Sequence, residues 1–377
     1  MSSLWDWTKM EMFKGIVAPA VVMGMGLGLV VSWGYKAAIV AVRPPPPKIC
    51  GSKGRPQITA PRVKLRDGRH LAYKEFGVPK QHVNYKIIFI HGFSSSRHTA
   101  SLLSTDLSHR PEIIEELGVY VVGFDKPGYG ESDPNPKQTV KSLALDIEEL
   151  ADNLGLGSKF YVLGNSMGGQ AVWGCLKYIP HRLAGAGLMA PVINYRWPSL
   201  PAELSRECYY RQPKGDQWAL RVAYYMPWLT YWWNTQTWLP SSTVISKSPI
   251  NFSAQDLKIF NSSLSKMTPE KEKQKQQVTQ QGEFESFHRS MMVGFGKWEF
   301  DPTDLKNPFP NNEGTVHLWQ GEEDKLVPLE LQRYIVDKLP WIHYHELPGA
   351  GHLFPSAHGV GETILKQFLI GDDDNHN

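Results

Sequence analysis

Cleaving an acyl group from oxygen requires a nucleophile, a base and a group that orients the base, and this chain holds candidates for all three. Gly164-Asn165-Ser166-Met167-Gly168 is a G-x-S-x-G pentapeptide. The apolar run 160–163 leads into it and reads as a buried strand. Ala171, Val172, Cys175, Leu176 and Ile179 lead out of it at helical spacing. A serine at a sharp strand-to-helix turn has a strained backbone and an exposed hydroxyl, and glycines beside it avoid clashes where strand and helix cross. The first N–H groups of the helix have no intrahelical partner and point at an oxyanion formed beside Ser166. A serine hydroxyl is a weak nucleophile at neutral pH. It needs an imidazole to take its proton and a carboxylate to hold that imidazole. His352 ends Pro348-Gly349-Ala350-Gly351-His352, a glycine-rich loop with room for a catalytic ring, and Glu322, Glu323 and Asp324 form an acidic cluster upstream. Taken singly, each signal is weak: a pentapeptide recurs by chance, and a lone histidine is more often a surface residue.

These residues need elements to position them. Arg62–Leu65 and His70–Phe76, joined through Asp67-Gly68, read as a hairpin. Ile87–Ile90 is a continuous apolar run, hence a fully buried strand, and it ends in His91-Gly92-Phe93. A loop of this kind can turn its backbone N–H groups towards Ser166. The Phe93 and Met167 N–H groups are therefore the expected oxyanion donors, against the plainer reading of an ordinary strand-to-loop turn. Val119–Phe124 is the next buried strand and runs into Asp125-Lys126-Pro127-Gly128-Tyr129-Gly130-Glu131-Ser132, a tight loop of structural role. Val140, Leu143, Ala144, Ile147, Leu150, Ala151 and Leu154 share one helix face, with Gly155 as its stop. Further strands are expected at 184–192, 315–319 and 342–347, and a last helix at 363–370.

Strand-HGF, strand-DxPGxGxS and strand-GNSMGG-helix, in this order, resemble the α/β-hydrolase superfamily over 63–193 and again from 315. The resemblance implies an α/β fold with a mostly parallel eight-stranded sheet, helices on both faces and an inserted helical cap. With it go a core at 49–194, a cap at 195–310, and core with an acidic tail at 311–377; the apolar and proline-rich stretches before them read as an anchor and spacer at 1–48. The resemblance places the triad acid at Asp324, beside the Leu326-Val327-Pro328 turn, with Glu322 and Glu323 as adjacent rivals. Ser166, Asp324 and His352 then follow their own strands in the chain order of this fold. The N-terminal region is similar to that of plant-type membrane-attached members.

The expected cap is dense in aromatic residues, and Trp197, Trp228 and Trp232 are the rings expected to line a pocket for a bulky apolar substrate. The plainer alternative is that such rings only pack the cap onto the body or meet a membrane surface. Lys266–Gln281 is polar and reads as a solvated helix or loop.

Ile16–Trp33 is an uncharged, mostly apolar run, about 27 Å long as a helix, close to the apolar thickness of a bilayer. It is expected to be a single-pass membrane anchor, with an endomembrane such as the ER favoured. The alternatives are a cleaved signal peptide and a buried helix. Lysines and arginines after the run favour a cytosolic catalytic domain, while sequons at Asn251 and Asn261 would matter only in a lumenal one. Pro44–Pro47 reads as a stiff spacer.

The formal net charge is +3 without a basic tract, which gives no sign of a nucleic-acid partner. Cys50, Cys175 and Cys208 are scattered and make no disulfide framework or metal cluster. The expected activity is hydrolysis of a hydrophobic or lipid-like carboxylic ester through an acyl-enzyme on Ser166, with no cofactor. An aspartate at 166 would have suggested an epoxide hydrolase or dehalogenase. C–C bond hydrolysis, acyl transfer to an alcohol, and a ligand-binding receptor on a retained hydrolase fold stand as alternatives.

Overall fold

The computed structural model describes residues 42–103 and 112–371. The chain divides into two compact units, Met1–Pro44 and Pro45–Asn377, and all the described strands lie in the second.

Eight strands form one sheet: β1 (Arg62–Lys64), β2 (His70–Gly77), β3 (Tyr85–Ile90), β4 (Val119–Phe124), β5 (Phe160–Asn165), β6 (Leu183–Met189), β7 (Val316–Gly321) and β8 (Ile342–Leu347). Their order is β1-β2-β4-β3-β5-β6-β7-β8. β2 pairs antiparallel with β1 and β4, and every pairing from β4 to β8 is parallel. Parallel strands need both faces covered, and the sequence of β3 and β4 supplies apolar side chains to both. Ile88, Ile90, Val122 and Phe124 enter one apolar cluster, while Ile87, Phe89, Val119 and Val121 enter a second.

The helices covering these faces are α1 (Ile113–Leu117), α2 (Val140–Asn153), α3 (Met167–Tyr178), α10 (Leu329–Lys338) and α11 (Val360–Leu369). α2 shows why such a segment folds locally. Thr139 Oγ1 accepts the Ser142 N–H at 3.0 Å and Ser142 Oγ accepts the Thr139 N–H at 2.9 Å, a capping box that starts the helix. Its apolar face, from Val140 to Ala151, is buried, and Gly155 in the left-handed region follows its end.

Between β6 and β7 the chain forms α4 (Ala202–Arg211), α5 (Lys214–Tyr225), α6 (Thr230–Thr235), α7 (Ala254–Ser265), α8 (Pro269–Gln277), a π-helical turn at Phe284–His288, and α9 (Arg289–Phe295). This helical insertion rests on the loop after β4. Gly130 N–H donates to Val278 O at 3.0 Å, and Tyr129 OH pairs with Ser290 Oγ at 2.9 Å.

Several expectations need correction. The expected membrane span, 16–33, lies outside the described residues. Among those residues no helix is long and apolar enough to cross a membrane. The longest, α2, has 14 residues, about 21 Å at 1.5 Å per residue, against about 30 Å of bilayer core. No described helix therefore supports the expected membrane location, which is not carried further. β6 ends at Met189 and does not reach 192, because Ala190 turns to φ 43° and Pro191 follows. α8 is solvated as expected, but Gln281 is fully buried. Its amide donates to Ser132 O at 2.7 Å and Gly130 O at 3.1 Å, so the polar stretch ends in a clamp on the loop after β4.

Candidate active site

The register aligns the carboxyl ends of the central strands. Ile90 pairs with Gly164, Asn165 with Met189, and Gly321 with Leu347. Loops leaving β3, β5, β7 and β8 therefore gather at one edge, where ligands bind in open parallel sheets.

Ser166 stands between β5 and α3 with φ 54° and ψ −118°, a conformation that costs roughly 1–3 kcal/mol for a residue with a side chain. The turn is held by hydrogen bonds on both sides of Ser166. Its N–H donates to Met189 O at 2.8 Å, and its carbonyl accepts the N–H groups of Gly169 and Val192 at 2.9 and 3.2 Å. The flanking glycines are steric requirements. A Cβ on Gly168 would sit 2.1 Å from Ile90 O, and one on Gly164 would sit 2.5 Å from Gly168 O.

His352 Nε2 lies 2.9 Å from Ser166 Oγ, and His352 Nδ1 lies 2.7 Å from Asp324 Oδ2. Asp324 is anchored in turn. Its Oδ1 accepts the Leu326 and Val327 N–H groups at 2.8 and 2.9 Å, and its Oδ2 accepts from Gln320 Nε2 at 3.0 Å. A carboxylate held by three donors keeps its orientation towards the ring. Glu322 and Glu323, the adjacent rivals, are exposed, and Glu322 Oε2 accepts the Gly349 N–H at 3.0 Å. Burial alone would lower the His352 pKa, but the charge and hydrogen bond of Asp324 and the charge of Asp256 outweigh it, and the net direction is up. With Asp324 accepting from Nδ1, Nε2 is free to take the Ser166 proton.

The loop after β3 borders the serine. A Cβ on Gly92 would lie 3.1 Å from Ser166 Cβ. Phe93 follows it, and its ring packs on Phe287 with centroids 4.7 Å apart and against the cluster of Ala219, Ala223 and Met291. Met167 is the first residue of α3, where a backbone N–H has no intrahelical acceptor. The buried His91 orders this loop. Its Nδ1 lies 2.8 Å from Gly92 O, and burial, reinforced by the charge of Lys126, holds the ring well below the ordinary histidine range and so neutral.

The three tryptophans have different surroundings. Trp197 is in the core, its ring 5.2 Å from that of Trp298. Trp228 is 63% exposed, too open to line an enclosed pocket. Trp232 is half-buried against Trp233. The apolar side chains grouped with Phe93 are instead Leu220, Trp233, Ile245, Phe287 and Met291. Trp233 belongs to the aromatic-rich stretch of the expected cap; the others were missed because they come from separate parts of the insertion, Ile245 from a turn between helices, and carry no motif. Sequence reasoning also missed Asp256, whose only local signal is the Ser253-x-x-Asp256 pattern of a helix start.

Residues 85–356 match the family described as the alpha/beta hydrolase fold. That is well over half of the chain, and the chain belongs to this family. Protein ABHD14A of Rattus norvegicus is 26% identical over 169 residues, covering 44% of this chain and 66% of that relative's length. Among solved structures, an esterase from Thermogutta terrifontis superposes with a TM-score of 0.52 at 20% identity, covering 81% of this chain and 97% of that one. The enol-lactonase from Burkholderia xenovorans LB400 gives 0.53 at 16% identity, covering 82% and 100%. Identities this low speak to fold alone.

Proposed function

We propose that this protein is a serine hydrolase that cleaves a hydrophobic carboxylic ester through an acyl-enzyme on Ser166. A fold selects no reaction, so the reading rests on the site. The observation that carries it is the continuous relay from Ser166 Oγ through His352 to Asp324, at 2.9 and 2.7 Å.

In this reading His352 Nε2 removes the Ser166 proton as Oγ attacks the ester carbonyl. Asp324 stabilises the imidazolium that results. The Phe93 and Met167 N–H groups receive the oxyanion, and losing one such donor typically costs about 3–4 kcal/mol of barrier. His352 then gives its proton to the departing alkoxide, leaving an acyl ester on Ser166. Water enters, His352 takes its proton, and a second tetrahedral intermediate collapses to free acid and Ser166. The apolar surroundings of Phe93 suit an acyl chain or ring and a water-poor site.

The test is to treat the full chain and Ser166→Ala with a fluorophosphonate probe and then with p-nitrophenyl esters of increasing chain length. Labelling and multiple turnover that both require Ser166 support the reading. A folded wild type that is neither labelled nor active overturns it.

A further inference from the structure

Asp256 lies in the first turn of α7, in the insertion, and is fully buried. Its Oδ1 accepts the Leu353 N–H at 2.6 Å, and its Oδ2 accepts the N–H groups of His352 at 3.1 Å and Ser253 at 3.0 Å. Ser253 Oγ accepts the Asp256 N–H at 3.1 Å, which closes a capping box. The neighbouring Gln255 Oε1 accepts the Gly351 N–H at 2.7 Å. Three successive backbone N–H groups, of residues 351 to 353, are thus bound by one helix start belonging to another part of the chain. The approach is close: a Cβ on Gly351 would lie 2.3 Å from Asp256 Oδ2 and 2.2 Å from Ser253 Oγ. A capping box alone needs only the bond from Ser253 N–H, so the two bonds to the histidine loop are additional to helix capping.

We infer that Asp256 is a positioning residue that ties the insertion to the catalytic histidine, fixing the His352 loop from outside the core sheet and supplying a second buried negative charge beside the imidazole. The inference rests on the ester-hydrolase reading. Asp324 grips the ring through Nδ1, whereas Asp256 grips the backbone that carries it. The imidazole is then fixed at both ends and reaches Ser166 only while the start of α7 is seated on the loop. The ionisable groups around the imidazole are Asp324 after β7, Asp256 in α7 and the Ser166 hydroxyl at α3. Glu322, on the outer edge of the loop at Gly349, is exposed. Both buried carboxylates favour the imidazolium, so removing the Asp256 charge moves the titration of His352 towards lower pH.

The test compares wild type, Asp256→Asn and Ser253→Ala in the full chain, reading kcat, KM and the pH dependence of kcat/KM on p-nitrophenyl butyrate. An asparagine oxygen replaces only one of the two carboxylate oxygens, and its amide faces N–H donors. In Asp256→Asn, kcat is expected to fall about 10–100-fold with KM within about threefold, and the acid limb to move to lower pH. Ser253→Ala weakens the same helix start but leaves the carboxylate on the loop. Its acid limb is expected to stay at the wild-type position, even where its Tm is lower. If Asp256→Asn keeps the wild-type kcat and acid limb, or if Ser253→Ala moves the limb equally, Asp256 is only a helix cap and the inference is overturned. Loss of fluorophosphonate labelling in wild type would overturn the hydrolase reading separately, without involving either variant.

Discussion

Lys126 donates its backbone N–H to His91 Nε2 at 3.0 Å, and this bond decides which nitrogen of His91 carries the proton. Nε2 is the acceptor, so Nδ1 bears the hydrogen and donates it to Gly92 O at 2.8 Å. The loop leaving β3 is thereby tied to the loop leaving β4, just ahead of the Phe93 N–H. His91→Phe keeps the ring volume and removes both bonds. It leaves a buried N–H unpaired, a cost of about 1–3 kcal/mol. Tm is expected to fall, and kcat to fall about tenfold or more with little change in KM. An unchanged kcat in the folded variant would remove this loop from the catalytic account.

The pH dependence of activity follows from His352. The ring acts as a base only when neutral, and its pKa is raised above the ordinary 6.5. The acid limb of kcat/KM is therefore expected above pH 6.5. Asp324→Asn is expected to reduce kcat by about 10⁴-fold, because the ring loses the partner that fixes its tautomer. A limb below pH 6, or an Asp324→Asn variant with more than a tenth of wild-type activity, would contradict the assignment.

Beneath the same loops, Arg97 is buried between two carboxylates. It pairs with Asp125 Oδ2 and, at 3.0 Å, with Glu131 Oε1, and both acids are fully buried. Arg97→Met leaves two carboxylates without their cation, a loss of about 3–5 kcal/mol by analogy with other broken buried pairs. Denaturant titration should show a lower midpoint of that size. A midpoint within error of wild type would mean that the pair is not needed for stability.

Much of this arrangement was legible in the amino-acid sequence. β4 has the predicted limits because a continuous apolar run bounded by turn residues leaves little choice. β8 has them too, although it mixes polar and apolar residues and is only partly buried; Pro348-Gly349 marks its end. Ser166, Asp324 and His352 were singled out because each follows its own strand in the order the family resemblance implies, and the structure brings the three within hydrogen-bond reach. The insertion was not readable in the same way. Its aromatic density pointed to Trp197, Trp228 and Trp232, yet Trp197 packs in the core and Trp228 faces solvent. The rings and aliphatic groups near Phe93 come from α5, α6, the turn holding Ile245, α9 and the turn at 284–288, and only tertiary packing brings them together. Asp256 reads in sequence as a helix cap, and its contact with a loop 96 residues away leaves no local mark.

Stability should also depend on pH, with a sign set by other histidines. Burial is the main cause lowering His91 well below 6.5, His98 and His288 to about 4, and His317 to about 3; His345 and His343 also lower His317. Between these values and 6.5 the unfolded chain binds more protons at these sites, so their contribution to stability is lost as pH falls through that window. His352 opposes them, because its raised pKa favours the folded state on acidification. Among the shifted histidines four act against one, and Tm is expected to drop as pH falls from 7 towards 4.5; Asp125 and Asp146, raised by burial, act with His352 at the acid end. A flat or rising Tm over that range would contradict the burial of these rings.

The most direct measurement is of the covalent intermediate. Wild type would be mixed with excess p-nitrophenyl acetate, quenched in acid within milliseconds, digested and examined by mass spectrometry for an acetyl group on the peptide containing Ser166. The account predicts acetylation at Ser166, a burst of p-nitrophenol of about one equivalent if deacylation is slower, and neither in Ser166→Ala. Turnover of the ester with no acyl group on Ser166, or with the group on another residue, would contradict it.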